Sequence, residues 1–314
     1  MMTLAAAEHF VRAPGWTWYI LFYFFLAGLA GGSYVIATLL RLYGERSDEP
    51  MARLGYYVAF PVYVICPILL TLDLHQPLRF WHMVVNTTPG DEGPILKPWS
   101  PMSVGSWVLL AFGVFAVVSF LEVLVRDRVI RTAATDRAVR LLDGTPGKAW
   151  NGVGALAGLF MASYTGVLLA VSNQPVWSDT WALGGLFLAS GLSGSAALLW
   201  WLVRYRPDAR ASAGVFALFE RIFALLEFAL IVLLVLTLIP AGTLGQTFGF
   251  PWVLLWLVAF AGLTPGLSGL VTARLSVTPE GAVAAQSARA AAAAPWLILI
   301  GVLALRAAVI FSVQ

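Results

Sequence analysis

The chain has 314 residues, of which 60% are hydrophobic and only 11% are charged, and its formal net charge is +3. A soluble domain carries about 25% charged residues, so this composition excludes an ordinary water-soluble protein. The small positive charge gives no indication of nucleic-acid binding.

The apolar residues form blocks of about 20, the length of helix that crosses a hydrocarbon layer ~30 Å thick. The segment before the first block does not resemble a cleaved signal peptide, because it lacks a basic region followed by a short apolar stretch. We therefore predict an all-α integral membrane protein with about eight transmembrane helices. The predicted spans are 17–40, 55–75, 104–125, 150–171, 180–203, 213–239, 251–272 and 292–312.

The loops between these spans predict the orientation of the chain. Turn-forming residues at 44–50 and 145–147 indicate two of the loops. The loops after spans 1, 3, 5 and 7 hold 14 of the 19 Lys and Arg residues, whereas the opposite side holds three, Arg12, Arg79 and Lys97. Because basic loops stay in the cytoplasm, both termini are predicted to face the outside, the periplasm if the protein lies in a bacterial inner membrane.

Two segments of the chain are similar to each other. Residues 25–43 and 187–205 agree at seven of 19 positions without a gap. Spans 1 and 5 would then be equivalent, and a four-span unit would occur twice in the same orientation. We predict two four-helix bundles, at 1–172 and 173–314, related by a parallel repeat. Chance similarity between two segments rich in Leu and Gly is the alternative.

Residues that hold metal cofactors are scarce. Cys66 is the only cysteine, whereas an iron–sulfur cluster usually needs four thiolates. The three histidines, His9, His75 and His82, lie before the first span or beside one end of span 2, so they do not face each other from two helices. We expect no metal site, no haem, no iron–sulfur cluster and no complete catalytic centre in this chain.

Polar side chains occur in the outer half of three spans. At 1.5 Å per residue, Tyr23 lies about 10 Å inside span 1 and Tyr164 about 13 Å inside span 4. Asp73 and His75 lie at the outer end of span 2. Hydroxyls beside a carboxylate or an imidazole suit the two oxygens and the protons of a quinone head group. The alternatives are packing roles for the tyrosines, an ion pair between Asp73 and Arg79, and a loop role for His75.

Span 6 carries the charged residues Glu220, Arg221 and Glu227. Charges inside a span are costly and often functional. Glu220 and Glu227 are seven residues apart and share a helix face, whereas Arg221 needs a partner on another helix. The pattern indicates either a proton path or a structural ion pair.

The outer segment 76–103 is rich in Pro, Trp and His and is too long for a simple turn. It is expected to be either a docking platform for an extracytoplasmic partner or a lid over the helix ends.

Three segments resemble the NrfD-like family, the membrane subunit of polysulfide reductase and related molybdoenzyme complexes. They are LAGLAGG at 26–32, DLHQPLRFWH at 73–82 followed by SPMSVGSW at 100–107, and SYTG at 163–166 followed by NQPVW at 173–177. The resemblance covers most of the first half of the chain and extends to the second half mainly through the number of spans.

The resemblance implies electron exchange between the quinone pool (menaquinone or ubiquinone) and a ferredoxin-like iron–sulfur subunit at the outer face, which connects to a molybdopterin catalytic subunit. Carried over by position, Tyr164 would donate a hydrogen bond to a quinone carbonyl. Tyr23 stands where some members have a histidine, and Asp73 where some have a glutamate. Because a phenol is a poor proton shuttle near neutral pH, that task would fall to Asp73 or His75.

The resemblance also places the charged group of span 6 in a proton path that some members are thought to use. Two other functions fit the same pattern of spans. An eight-helix secondary transporter would use the carboxylates inside the membrane, and a passive membrane anchor would have no quinone site of its own.

Overall fold

Long helices account for almost all of the regular structure. A computed structural model describes residues 13–268 and 283–314 of the chain. In chain order the helices are α1 (Trp18–Tyr43), α2 (Glu49–Asp73), α3 (Pro101–Arg126), α4 (Ala133–Arg140), α5 (Thr145–Ala170), α6 (Leu183–Leu202), α7 (Ala213–Ala241), α8 (Leu244–Phe248), α9 (Trp252–Leu267) and α10 (Val283–Phe311). Two strands, β1 (Val85–Asn86) and β2 (Gly93–Pro94), form a small antiparallel hairpin.

The eight longer helices fall on the eight apolar blocks. Seven of them are long and apolar enough to cross a membrane. The eighth, α9, is strongly apolar but has 16 residues, and positions 269–272 of its predicted span lie outside the described residues. This arrangement confirms the prediction of an all-helical integral membrane protein.

Two of the predicted loops are partly wrong. The Glu49–Pro50 pair forms the first turn of α2, and Thr145 with Pro146 forms the first turn of α5. Proline is well suited to the first turn of a helix, because the N–H that it lacks would have no partner there. Both helices therefore begin about one and a half turns earlier than the apolar residues alone indicate.

Sequence reasoning missed α4, which lies in the loop between α3 and α5. Thr132 precedes this helix and accepts a hydrogen bond from the backbone N–H of Thr135, while the Thr135 hydroxyl oxygen accepts one from the backbone N–H of Thr132. The threonine pair is a recognisable signal for a helix start, although the segment is too short and polar to stand out as an apolar block.

Charged side chains are paired at one end of the bundle, which we call the arginine-rich end. Arg41 on α1 donates to Glu122 on α3 at 2.9 Å and to Glu49 on α2 at 3.1 Å. Glu122 is almost fully buried and also accepts from Arg126 at 2.7 Å. These ion pairs connect the ends of three neighbouring helices.

Asp127 joins the two halves of the chain at the same end. Its carboxylate accepts hydrogen bonds from Arg53 at 2.7 Å, Tyr57 at 3.1 Å and Arg206 at 3.2 Å. Partial burial by itself would raise the pKa of Asp127, but the hydrogen bonds from Arg53, Arg206 and Tyr57 outweigh it and hold the pKa below its usual value. Asp127 is therefore an ionised link between α2, α3 and the segment after α6.

The two halves of the chain pack in the same way. Helices α1, α2, α3 and α5 form a ring in which each packs on the next and α5 packs on α1, and α6, α7, α9 and α10 form an equivalent ring. The rings meet where α6 packs against α1 and α5. The division into bundles at 1–172 and 173–314 and the duplication itself stay predictions.

Small residues allow α1 to lie close to its neighbours. Gly31 contacts Gly158 of α5, and a Cβ atom at Gly31 would overlap the Gly158 carbonyl. On another face Gly32 lies against Ser195 of α6, whose hydroxyl donates to the Leu29 carbonyl at 3.0 Å. Such contacts between small residues are a main source of helix association in membranes.

At the opposite end, which we call the loop end, the segment 76–103 is ordered. A 3₁₀ helix at Pro77–Met83 leads into the β1–β2 hairpin. The Trp107 indole on α3 donates to the Ile95 carbonyl at 2.8 Å and holds the returning chain against the bundle. The segment thus covers the ends of α2 and α3.

Candidate functional site

A cavity of about 450 Å³ lies at the loop end, beneath the segment 76–103. Its walls come from α1, α2, α3 and α5 and from the 3₁₀ helix. Most of the lining side chains are apolar, and a few polar groups are placed among them. The volume is within the range of about 300–1,000 Å³ that is typical of small-molecule sites.

The cavity brings together three of the residues that the sequence singles out. Tyr23 comes from α1, Asp73 from α2 and Tyr164 from α5, and all three line the cavity. They are far apart in the chain and meet only because α2 and α5 both pack on α1. The arrangement can therefore place two hydroxyls and one carboxylate around a single ligand.

Tyr164 is held in one position by its neighbours. Its hydroxyl donates to the Pro101 carbonyl, in the first turn of α3, at 2.8 Å. Its ring is stacked on Phe160, with 5.5 Å between ring centroids. On the α3 side it contacts Gly105, where a Cβ atom would overlap the phenol ring. Tyr164 can therefore occupy this position only because residue 105 is a glycine.

Tyr23 is buried, but its hydroxyl makes no hydrogen bond within residues 13–268 and 283–314. Tyr63, Cys66 and Tyr164 lie close to it. Because Tyr23 lines the cavity, this hydroxyl is available to form a hydrogen bond with a ligand oxygen there.

Asp73 is the only carboxylate among the described residues that line the cavity. It is partly exposed, and its carboxylate interacts with the Thr17 side chain. No ion pair joins it to Arg79 in the described part of the chain, so the carboxylate is available to a ligand.

His75 and His82 lie outside the cavity lining. His75 is exposed, its Nδ1 atom is 2.9 Å from the Asp73 carbonyl oxygen, and its backbone has a φ of 56°. His82 is exposed on the 3₁₀ helix, with its ring 4.0 Å from that of Trp81. His75 is therefore placed beside Asp73 but on the solvent side of it.

Sequence reasoning missed the walls that α3 and the 3₁₀ helix contribute. Gly105 and Ser106 of α3 line the cavity, together with Phe80 and Trp81. The segment SPMSVGSW carries the family resemblance in α3, but its residue types alone do not identify them as cavity residues.

A second polar group lies deep in the other half of the bundle. Glu220 and Glu227 of α7 are buried, and Glu220 accepts a hydrogen bond from Ser193 of α6 at 3.1 Å. Arg221, by contrast, is exposed on another face of α7. The structure therefore separates Arg221 from the two carboxylates.

The basic residue near Glu227 is Arg306 of α10, which the sequence did not identify. It is fully buried and lies near Glu227. Its guanidinium donates to the Phe24 carbonyl, to the Phe187 carbonyl at 2.9 Å and to the Ser190 hydroxyl at 3.1 Å. Arg306 thus connects α10 with both α1 and α6.

Together these features define a multi-pass helical membrane protein with a ligand-sized cavity near one membrane face. The family described as "Polysulphide reductase, NrfD" matches residues 7–314, and the chain therefore belongs to the NrfD family. This match confirms the resemblance in the three sequence segments.

The chain is also similar to a subunit of selenate reductase from Mesobacillus selenatarsenatis. The two are 23% identical over 129 residues, which cover 40% of this chain. The matched stretch spans only 28% of that relative. Its name places that relative in a multisubunit reductase.

Proposed function

We propose that this chain is the membrane subunit of a multisubunit oxidoreductase and exchanges electrons between the quinone pool and an iron–sulfur partner. The observation that carries the proposal is the convergence of Tyr23, Asp73 and Tyr164 on one cavity near a membrane face. Membership of the NrfD family and similarity to a selenate reductase subunit support a role in a redox complex.

The described residues of the cavity fit a quinone head group. Ile20, Leu70, Leu109 and Leu168 supply apolar walls for a ring and the start of a tail. The unpartnered hydroxyl of Tyr23 supplies a polar contact for a ring oxygen. When bound in its reduced form, the ligand supplies two electrons and two protons.

Each polar residue has a defined task in this proposal. Tyr23 and Tyr164 fix the orientation of the ring through hydrogen bonds. Asp73 accepts a proton from a ligand hydroxyl, because it is the only carboxylate among the described lining residues. His75, exposed beside Asp73, passes the proton to the aqueous phase.

The segment 76–103 is the proposed docking surface for the iron–sulfur partner, a ferredoxin-like protein that in turn contacts a molybdopterin catalytic subunit. It exposes large apolar side chains, including Leu78 (89% exposed) and Trp99 (80% exposed). Exposed apolar side chains above a redox cavity are well placed for a permanent interface. The arrangement requires the loop end to face the outside of a bacterial inner membrane, with both termini on that side.

The main test compares three variants of the purified complex. Tyr164→Phe should weaken binding of a quinol analogue about three- to tenfold, because one hydrogen bond is lost. Asp73→Asn should lower quinol-coupled turnover ~10²-fold, because a proton acceptor is lost. Tyr63→Phe is the matched control, since its hydroxyl donates to the Leu109 carbonyl and does not line the cavity.

If both cavity variants bind and turn over like the wild-type complex, the proposed site is wrong. A passive anchor or a transporter would then explain the fold better. A turnover defect in Tyr63→Phe of the same size would indicate a general packing effect instead of a site.

A proton path through the second half is a second proposal, carried by Glu220 and Glu227. Among the residues that the structure describes, one oxygen of each carboxylate and the Nε atom of Arg306 are buried without a hydrogen-bond partner. Buried groups of this kind favour proton exchange over a purely structural pair. Arg221 is exposed and has no proposed role in that path.

Glu227→Gln tests this second proposal in proteoliposomes. The substitution should abolish proton translocation while quinol-analogue binding stays unchanged, because Glu227 does not line the cavity. If the Glu227→Gln variant still translocates as many protons per electron as the wild type, the proposed path through Glu227 is excluded.

A further inference from the structure

Two hydroxyl groups at the cavity wall donate their protons to backbone carbonyls of α3. Tyr164 donates its only proton to the Pro101 carbonyl at 2.8 Å, and Ser106 donates its own to the Met102 carbonyl at 2.9 Å. Both hydroxyls therefore present only lone pairs to the cavity. The Trp81 indole N–H is also engaged, with the Leu78 carbonyl at 3.0 Å.

One further acceptor, the Asp73 carboxylate, lines the cavity beside these hydroxyls. The Asp73 carboxylate accepts hydrogen bonds and donates none when ionised. No Lys, Arg or His side chain is among the described residues that line the cavity, so no cation there donates to a ligand oxygen. The Tyr23 and Thr71 hydroxyls and the Trp16 indole N–H also line the cavity, and within the described residues they are free to donate to a ligand.

The two redox forms of a quinone differ in this respect. A quinone carbonyl oxygen only accepts hydrogen bonds, whereas each quinol hydroxyl also donates one. A quinone placed against Tyr164 would leave two acceptors facing each other, unless Tyr164 released Pro101. A buried site binds less tightly a ligand whose polar groups it cannot match, so this mismatch discriminates against the quinone.

We propose that the hydrogen bond from Tyr164 to Pro101 makes the cavity select the quinol over the quinone, and that Gly105 is the positioning residue that maintains this bond. The proposal rests on the proposed function of the cavity as a quinone site. It differs from the role implied by the family resemblance, in which Tyr164 donates to a quinone carbonyl.

This selectivity has a consequence for electron flow. Each tenfold preference for the quinol raises the midpoint potential of the bound two-electron couple by about 30 mV. Bound quinol is then held until its two electrons pass to the partner and its two protons leave, one of them by way of Asp73. Bound quinol is correspondingly a weaker reductant than free quinol. The quinone that remains after oxidation is bound more weakly and departs, so the selectivity favours loading of quinol and release of quinone.

The test measures both redox forms on the full chain in lipid nanodiscs without oxygen. The probes are 2,3-dimethyl-1,4-naphthoquinone and its quinol, and quenching of tryptophan fluorescence reports binding because Trp16 and Trp81 line the cavity. The wild type should bind the quinol about tenfold more tightly. Tyr164→Phe should weaken quinol binding about fivefold and leave quinone binding unchanged.

Gly105→Ala tests the positioning role, because the added Cβ displaces the Tyr164 ring from Pro101. The preference for the quinol should fall to about twofold or less. Gly113→Ala is the matched control on the same helix: its Cβ would displace Tyr63, which lies outside the cavity lining, and the preference should stay at the wild-type value.

Three results would overturn the inference. The first is equal affinity of the wild type for the two forms. The second is a Tyr164→Phe variant that loses quinone binding as much as quinol binding. Either result would contradict the selectivity but not the proposed quinone site. Absence of binding for both forms to correctly folded wild-type protein would remove the proposed function as well. If Gly105→Ala does not fold, the Tyr164→Phe comparison decides alone.

Discussion

Arg306 lies between α1 and α6 with its guanidinium on backbone carbonyls of both helices. The sequence shows that this arginine lies inside a span, but not which residues it meets. The family resemblance grouped Arg221 with Glu220 and Glu227 in one proton path, although helix spacing puts Arg221 on a different face from the two carboxylates. The structure puts Arg306 near Glu227 instead, because the packing of α10 decides which face is buried.

Arg306→Met tests the contribution of this buried charge to stability. We expect the free energy of unfolding to fall by about 3 kcal/mol, because the hydrogen bonds to α1 and α6 are lost and Glu227 loses its neighbouring charge. The measurement is thermal unfolding of the purified protein in detergent. Arg204→Met is the control, since Arg204 is exposed, and an equally large loss there would contradict the argument.

At the scale of elements, the contact of α1 with α5 positions two of the three cavity residues. Gly31 and Gly158 allow these helices to approach until backbone meets backbone. The sequence shows the small residues in LAGLAGG, and their role in close helix contact could be predicted from residue type. Their partners could not, because they lie on a helix that is more than a hundred residues away in the chain.

Gly31→Ala should separate α1 from α5 and lower the thermal midpoint of the protein, since the new Cβ overlaps the Gly158 carbonyl. Gly152→Ala on α5 is the matched control, because a Cβ there meets no atom within 4 Å and alanine favours helix by up to about 1 kcal/mol. The comparison is made by thermal unfolding in detergent. Equal thermal midpoints for the two variants would show that the close contact contributes nothing to thermal stability.

The whole molecule has two chemically different ends. The arginine-rich end carries the ion pairs around Glu122 and Asp127, and the loop end carries the cavity and the segment 76–103. The uneven distribution of Lys and Arg predicts that the arginine-rich end is cytoplasmic. The proposed function depends on this orientation, because the iron–sulfur partner must meet the loop end.

Single cysteines test the orientation in intact cells. Asp91→Cys, at the exposed loop end, should react with a membrane-impermeant maleimide, whereas Arg137→Cys on α4 should react only after permeabilisation. The native Cys66 is buried and should give little background. The reverse pattern would place the arginine-rich end outside and exclude an extracytoplasmic partner at the loop end.

The sequence by itself determined the class of the protein, the approximate positions of its long apolar helices, and its family. These properties follow from local chemistry, since an apolar block of about 20 residues has few structural options other than a membrane helix. The first turns of α2 and α5, which contain proline, and the short helix α4 do not follow from this rule, because capping interactions determine where such polar segments become helical.

Only the tertiary structure decided which polar residues meet. It brought Tyr23, Asp73 and Tyr164 to one cavity, added Gly105 and Ser106 from α3, and put Arg306 of α10 near Glu227. It also decided the direction of the Tyr164 hydrogen bond, on which the proposed preference for quinol depends. The physical reason is that helix periodicity fixes which residues share a face, whereas the packing of other helices fixes what that face contacts.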